Sequence, residues 1–229
     1  MSFLEPAQLM QLLDGMVTTL HLFLVSWVLA FAVALLLVVV RATNVTVARW
    51  VVDGFVEYHR NVPLLVQVLF WYFGMPELLP EGFREWLYRH NAELSLAAIA
   101  LGLGSSAYIA EDIRSGLRAI PTTQFEATRA LGASYLQCMR YIIVPQALRL
   151  AIPPLVSRAL LLFKNTSIAM AIGVVELTYQ TREIENETYR TFATFGAATL
   201  MYLLGSFLIM LVGSRVYAHY RLKGGGANA

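Results

Sequence analysis

Cysteine occurs once in the 229 residues, at Cys138, so an internal disulfide and a Cys-rich metal site are both excluded. Histidine is nearly as scarce. His21, His59, His90 and His219 are scattered and supply no His-Glu-x-x-His pair for zinc, so no metal ligands are expected. Charged side chains make up only 14% of the chain and their net formal charge is +2, which gives no reason to expect nucleic acid as a partner. A Gly-x-x-x-x-Gly-Lys-Ser/Thr phosphate loop is also lacking. If ATP powers this protein, another chain binds it. No Lys or Arg precedes the first apolar run, where Glu5 and Asp14 stand instead, so that run is expected to be a retained span and not a secretory signal.

What the sequence has in excess is apolar residues, 58% of the total with a mean hydropathy of +0.60, the composition of a membrane protein. Hydropathy predicts an all-α integral membrane fold, one domain over residues 1–229, with five spans near 14–40, 51–79, 93–113, 148–175 and 194–218. Each is long enough for the ~20 apolar residues that cross a hydrocarbon core. Pro63 marks either a helix start or a kink in the second. Arg41, Arg49, Arg60, Arg114, Arg118, Arg129, Arg140, Arg149, Arg215, Arg221 and Lys223 fall on one side of these spans, against Arg84, Arg89, Arg182 and Arg190 on the other. The positive-inside bias then predicts an outer amino terminus, and a cytoplasmic carboxyl terminus and 121–145 loop. Outer loops are expected at 80–92 and 176–193, both short and acidic. A tail over 222–229 reads as flexible.

Span three contains Gly102-Leu103-Gly104-Ser105-Ser106-Ala107, which matches a dinucleotide fingerprint. That fingerprint works only where a strand turns into a helix. Here Gly102, Ser106 and Ala110 recur four apart inside an apolar helix, the pattern of a close helix contact. Trp27, Trp50, Trp71 and Trp86 lie near or between span ends and read as headgroup-zone anchors.

Residues 121–145 are polar and basic between two long apolar runs. Thr123 with Glu126, and Ser134 with Gln137, have capping-box spacing, and Gly132 between them suits a left-handed helix end. A helix-turn-helix knuckle is predicted, with Phe125, Leu131, Tyr135 and Leu136 beside Arg129 and Arg140. Span four carries Pro153-Pro154 early and Lys164-Asn165-Thr166-Ser167 late, where a charge costs about 3 kcal/mol unless paired or wetted. Arg158 and Asn165, seven apart, share a helix face. A cation and an amide facing a cavity suit a carboxylate, and Thr166 and Ser167 either add hydroxyl donors or satisfy a helix break. The alternatives are that Arg158 snorkels or pairs within a dimer, and that Lys164 pairs with Glu176.

The run Glu126-Ala127-Thr128, three residues, Gly132, nine residues, Ile142-Ile143-Val144-Pro145 resembles the E-A-A, G, I-x-L-P loop of bacterial ABC-importer permeases. Thr128 and Val144 depart from that pattern by small changes. Residues 60–80, 145–155 and 163–174 are similar to segments of the polar amino-acid (histidine/glutamine/glutamate) permeases, most of all the glutamate/aspartate ones. The resemblance implies a coupling loop in which Glu126, Ala127, Arg129, Gly132 and Pro145 meet an ATPase. The residues of span four themselves place the expected substrate pathway near Arg158, Lys164, Asn165, Thr166 and Ser167. The family often has aspartate where Asn165 stands, so this face is more cationic and an anionic substrate is expected.

Its implied partners are two ABC ATPase subunits, a second permease subunit in a homo- or heterodimer, a periplasmic amino-acid-binding protein and inner-membrane lipid. It implies that no cofactor is bound by this chain, ATP and Mg being held by the ATPases. The chain is expected to move a solute without catalysing a reaction, so no catalytic residue is assigned. An ion-gradient-driven secondary amino-acid transporter would also explain a broken span with buried charge, but gives no use for the knuckle.

Overall fold

The computed structural model describes residues 4–43 and 45–220, all helix and connecting turn with no strand among them. The tail expected over 222–229 lies outside the described residues. Among the described residues, four helices are long and apolar enough to cross a membrane: α1 (Pro6–Ala42), α5 (Ala92–Arg118), the rod Tyr135–Ile172, and α10 (Thr191–Tyr220).

The second expected span is not one helix. It is α2 (Thr46–Asn61) followed by α3 (Leu64–Leu69), the latter extended by a π turn at Phe70–Gly74 and a 3-10 turn at Met75–Leu78. Val62 takes an extended conformation, because the ring of Pro63 disfavours a helical residue before it and supplies no N–H to continue the ladder. Gln67, 2% exposed, closes the break by donating to the carbonyls of His59 at 3.1 Å and Val62 at 2.8 Å.

The helix at the centre is α5. Of its most apolar stretch 61% is buried, against 11% for α10. Leu22 and Phe23 of α1 pack with Ala97 and Leu101, and Ala30 and Ala34 with Ile109 and Ile113, so the two helices run parallel and the chain returns between them through α2 and α3. Close approach explains the parallel pair. A Cβ on Gly102 would lie 2.8 Å from Leu29, and Ser106 and Ala110 are buried beside it. The four-apart stripe is therefore a packing seam, as its spacing predicts.

Both connections expected to be short outer loops contain helices. One is α4 (Glu81–Arg89) and the other α9 (Leu177–Thr188). Leu177 and Ile184 of α9 are buried against Leu12 of α1 and Ala198 of α10. The N-cap of α9 is Glu176, fully buried, whose carboxylate accepts from Tyr179 N at 2.8 Å and Tyr202 OH at 2.9 Å. Burial pushes this carboxyl above its usual range, opposed by the backbone amides at the cap. Glu176 is thus committed to the cap and has no contact with Lys164, contrary to one expectation. Of the tryptophans, Trp50 and Trp86 are exposed, whereas Trp27 and Trp71 are half-buried against the core clusters.

Candidate functional site

Two places carry the polar chemistry of the chain. The first is a cavity of about 210 Å³ where α5, the α2–α3 break and α8 (Val144–Asn165) meet, lined among others by His59, Gln67, Ser105, Tyr108, Arg158 and Asn165. Gly104 shapes it, since a Cβ there would meet Leu64 at 3.1 Å and hold α3 away. Arg158 is 31% exposed, and its Nε donates to Asp112 Oδ2 at 2.8 Å. Its guanidinium also lies 4.6 Å from the ring centroid of Tyr108, a cation–π contact that orients the group.

Only the Nε of Arg158 is hydrogen-bonded among the described residues. The two terminal nitrogens, a fork matched to a carboxylate, keep their donors for something else. Ser105 and Asn165 line the same space with side chains that form no hydrogen bond to a described residue. His59 Nδ1 lies 2.9 Å from the Phe55 carbonyl, so Nδ1 carries the proton and Nε2 is left as a buried acceptor without a partner. The set can bind a small solute bearing a carboxylate and further polar groups. It breaks no bond.

Arg158 and Asn165 are therefore brought together as their spacing predicts. Lys164 is exposed and does not line the cavity, because one residue along a helix turns the side chain by about 100°. Thr166 is buried and spends its hydroxyl on the Phe163 carbonyl at 2.7 Å, and Ser167 on the Lys164 carbonyl at 2.8 Å. These two hydroxyls satisfy the end of α8 where it tightens into the 3-10 turn Thr166–Ile172. Asp112 was missed, although an acid at the end of the apolar run in α5 was a signal that a cation in another span had a partner. The lone glutamine in Leu64-Leu65-Val66-Gln67-Val68 was a second signal.

The other place is the 121–145 segment, which folds as α6 (Thr122–Ala130), a turn at Gly132, and α7 (Tyr135–Cys138). Gly132 has a φ of 86°. Its N–H donates to Arg129 O at 3.0 Å and that of Ala133 to Thr128 O at 3.4 Å, the two bonds of a Schellman end. The Ser134–Gln137 capping box is present in both directions. The Thr123–Glu126 box is not. Pro121 occupies the N-cap and Thr123 lies one residue inside the helix, since Pro121 fixes the start two residues ahead of the position that Thr123 would need. Glu126, Ala127 and Arg129 consequently face solvent, as do Leu131 at 89% and Leu136 at 72% exposure.

The expected loop also ends earlier than residue 145. From Tyr135 the chain runs through a π turn at Met139–Ile143 directly into α8. Pro145 is accommodated in the first turn of α8, where the wider turn before it relieves the clash a proline ring makes with the preceding carbonyl. The rod is pinned at its base, because a Cβ on Gly116 would meet the Ala147 carbonyl oxygen at 2.5 Å. Gln146 also donates to Gln124 at 2.7 Å, tying α8 to α6.

Residues 42–221 match the family described as binding-protein-dependent transport system inner membrane component. The chain is similar to the glutamate/aspartate import permease protein GltJ of Escherichia coli K12, 33% identical over 215 residues that cover 92% of this chain and 87% of that one. It is similar to the probable glutamine ABC transporter permease protein GlnP of Bacillus subtilis, 35% identical over 207 residues, 89% and 90% of the two chains. Among solved structures it superposes on an amino acid ABC transporter with histidines at a TM-score of 0.81 and 27% identity, covering 91% of this chain and 94% of that one. The methionine ABC transporter MetNI, at 20% identity and a TM-score of 0.75, covers 96% of this chain and 100% of its own and shares the fold.

Proposed function

The chain belongs to the family of binding-protein-dependent transport system inner membrane components, and from that premise we propose that it is the subunit through which an ABC importer passes glutamate or aspartate. As a polar amino-acid importer permease it is a multi-pass membrane protein and acts on its solute without chemical change. The observation that carries the acidic substrate is the Arg158 guanidinium, held by Asp112 through Nε and by the Tyr108 face, which offers its terminal fork to the cavity shared with Asn165 and Ser105. Asp112 neutralises the arginine while the cavity is empty. A substrate carboxylate then binds to donors already oriented, at little entropic cost.

In this reading the 121–145 knuckle is the coupling element, cytoplasmic by the arginine asymmetry. Its exposed Leu131, Tyr135 and Leu136 dock in an ATPase groove, with Glu126 and Arg129 at the rim of that contact. Two ATPases supply ATP and Mg, a periplasmic binding protein delivers the amino acid, and a second permease subunit completes the pathway. Lys164, exposed on the other face of α8, is assigned to the pathway only through that second subunit.

The test is uptake into vesicles holding the full assembly. Arg158→Gln should raise the KM for glutamate by tenfold or more while binding-protein-stimulated ATP hydrolysis persists. Competition by aspartate but not by glutamine or histidine is expected. Unchanged glutamate uptake in Arg158→Gln would overturn the acidic assignment, and uptake that continues without the ATPase would overturn the importer reading.

A further inference from the structure

A second polar cavity, of about 380 Å³, lies where α1 ends, α2 begins and α5 ends, at the face that carries residues 121–145. It is lined by Arg41, Arg49, Arg114 and Arg118, with Val38, Ala42 and Leu117. No carboxylate lines it among the described residues. Behind it, Asp53 pairs with Arg41, and Glu111 is shared by Arg114 and Arg118. An adjoining cavity adds only Arg60 and Glu57 to these charges, so the region gathers five guanidinium groups around three carboxylates.

Three carboxylates offset only part of the charge of five guanidinium groups, and a further anion would balance the excess. All of the cations are arginine, whose planar fork matches phosphate oxygens in pairs. The source of the anion follows from the level of the cavity. The apolar run of α1 ends at Arg41, and on the adjacent α2 Val47, Trp50 and Val51 are 72%, 76% and 67% exposed. An exposed tryptophan flanked by valines beside an arginine cluster is the composition of a headgroup zone. Basic pockets between membrane helices at that level suit anionic lipid.

We propose that this cavity binds the phosphodiester headgroup of an anionic phospholipid from the leaflet on the 121–145 side. The site is separate from the Arg158 cavity and is independent of which amino acid is carried. A lipid wedged there joins α1, α2 and α5 at the base of the helices that position the knuckle.

The assembled importer in nanodiscs of phosphatidylcholine with graded phosphatidylglycerol tests this, with retained lipid read by native mass spectrometry. Wild type should retain phosphatidylglycerol in preference to phosphatidylcholine. Arg49→Gln combined with Arg118→Gln should weaken that retention roughly thirtyfold, at about fivefold for each guanidinium near an anionic surface. Equal retention by wild type and variant, or no preference in wild type, overturns the proposal. In discs of phosphatidylcholine alone, inorganic phosphate should give little thermal protection; protection equal to that from phosphatidylglycerol would mean a soluble-anion site and overturn the lipid assignment. Should the double variant fail to assemble, Arg49→Lys with Arg118→Lys keeps the charge and removes the fork. Reduced retention in that variant supports a built headgroup site, and wild-type retention overturns it in favour of diffuse attraction.

Discussion

At the scale of single residues, Arg158 and Glu176 use buried charge in opposite ways. The Arg158–Asp112 pair is partly open, 31% and 16% exposed, and keeps donors available, whereas Glu176 is enclosed and every contact it makes is internal. Asp112→Asn should keep a hydrogen bond to Arg158 but leave its charge uncompensated. Glutamate uptake at low substrate is then expected to persist with a slower off-rate, measurable as a lowered KM with a lowered turnover. For Glu176, burial raises the folded-state pKa above the ordinary 4.5. The stabilisation is therefore complete below about 4.5 and is lost as pH rises through the higher folded value. Thermal unfolding of the purified subunit should show this decline from mild acid upward, and Glu176→Gln should flatten it. Single residues were legible in the sequence where spacing alone fixes a face, as with Arg158 and Asn165 or Gly102 and Ser106. Asp112, Gln67 and the fate of Thr166 were not, because each depends on which carbonyl or cation a different helix brings to it.

At the scale of elements, capping chemistry could be read from sequence when no proline intervened. Ser134–Gln137 formed its box and Gly132 its left-handed end; Thr123–Glu126 did not, because Pro121 starts α6 first. A Cβ on Gly132 would meet no neighbouring atom, so the effect of Gly132→Ala is backbone strain of about 1–2 kcal/mol in the knuckle. Membrane insertion should be normal by protease protection, with transport and stimulated ATP hydrolysis both reduced. Gly116→Val is different in kind: its Cβ would collide with the Ala147 backbone, and a thermal shift corresponding to about 1–3 kcal/mol is expected. The second span shows the limit of hydropathy. A window average joins α2 to α3 across Pro63, yet the chain breaks there and Gln67 holds the two pieces together.

At the scale of the whole molecule, the unbroken path from α7 through the π turn into α8 makes the knuckle and the Arg158 cavity parts of one body. Tyr135 and Arg158 stand about 35 Å apart along it at 1.5 Å per residue. Deleting one residue within Met139–Ile143 would rotate the knuckle by about 100° about the rod axis. Uptake should be abolished in such a deletion, while binding of the amino acid to the detergent-solubilised assembly is retained. The sequence reading separated the knuckle, over 121–145, from a span starting near 148, since Pro145 is an ordinary helix terminator and the π turn that accommodates it has no composition of its own.

The bare tip of the knuckle has a further implication for the life of the protein in the cell. Leu131 and Leu136, 89% and 72% exposed, are the kind of greasy protrusion that chaperones and quality-control proteases recognise. If the knuckle docks on ATPase subunits as proposed, a copy made in excess of them leaves both leucines uncovered, and its degradation should be faster than that of assembled copies. On that reading one surface would serve both docking and disposal.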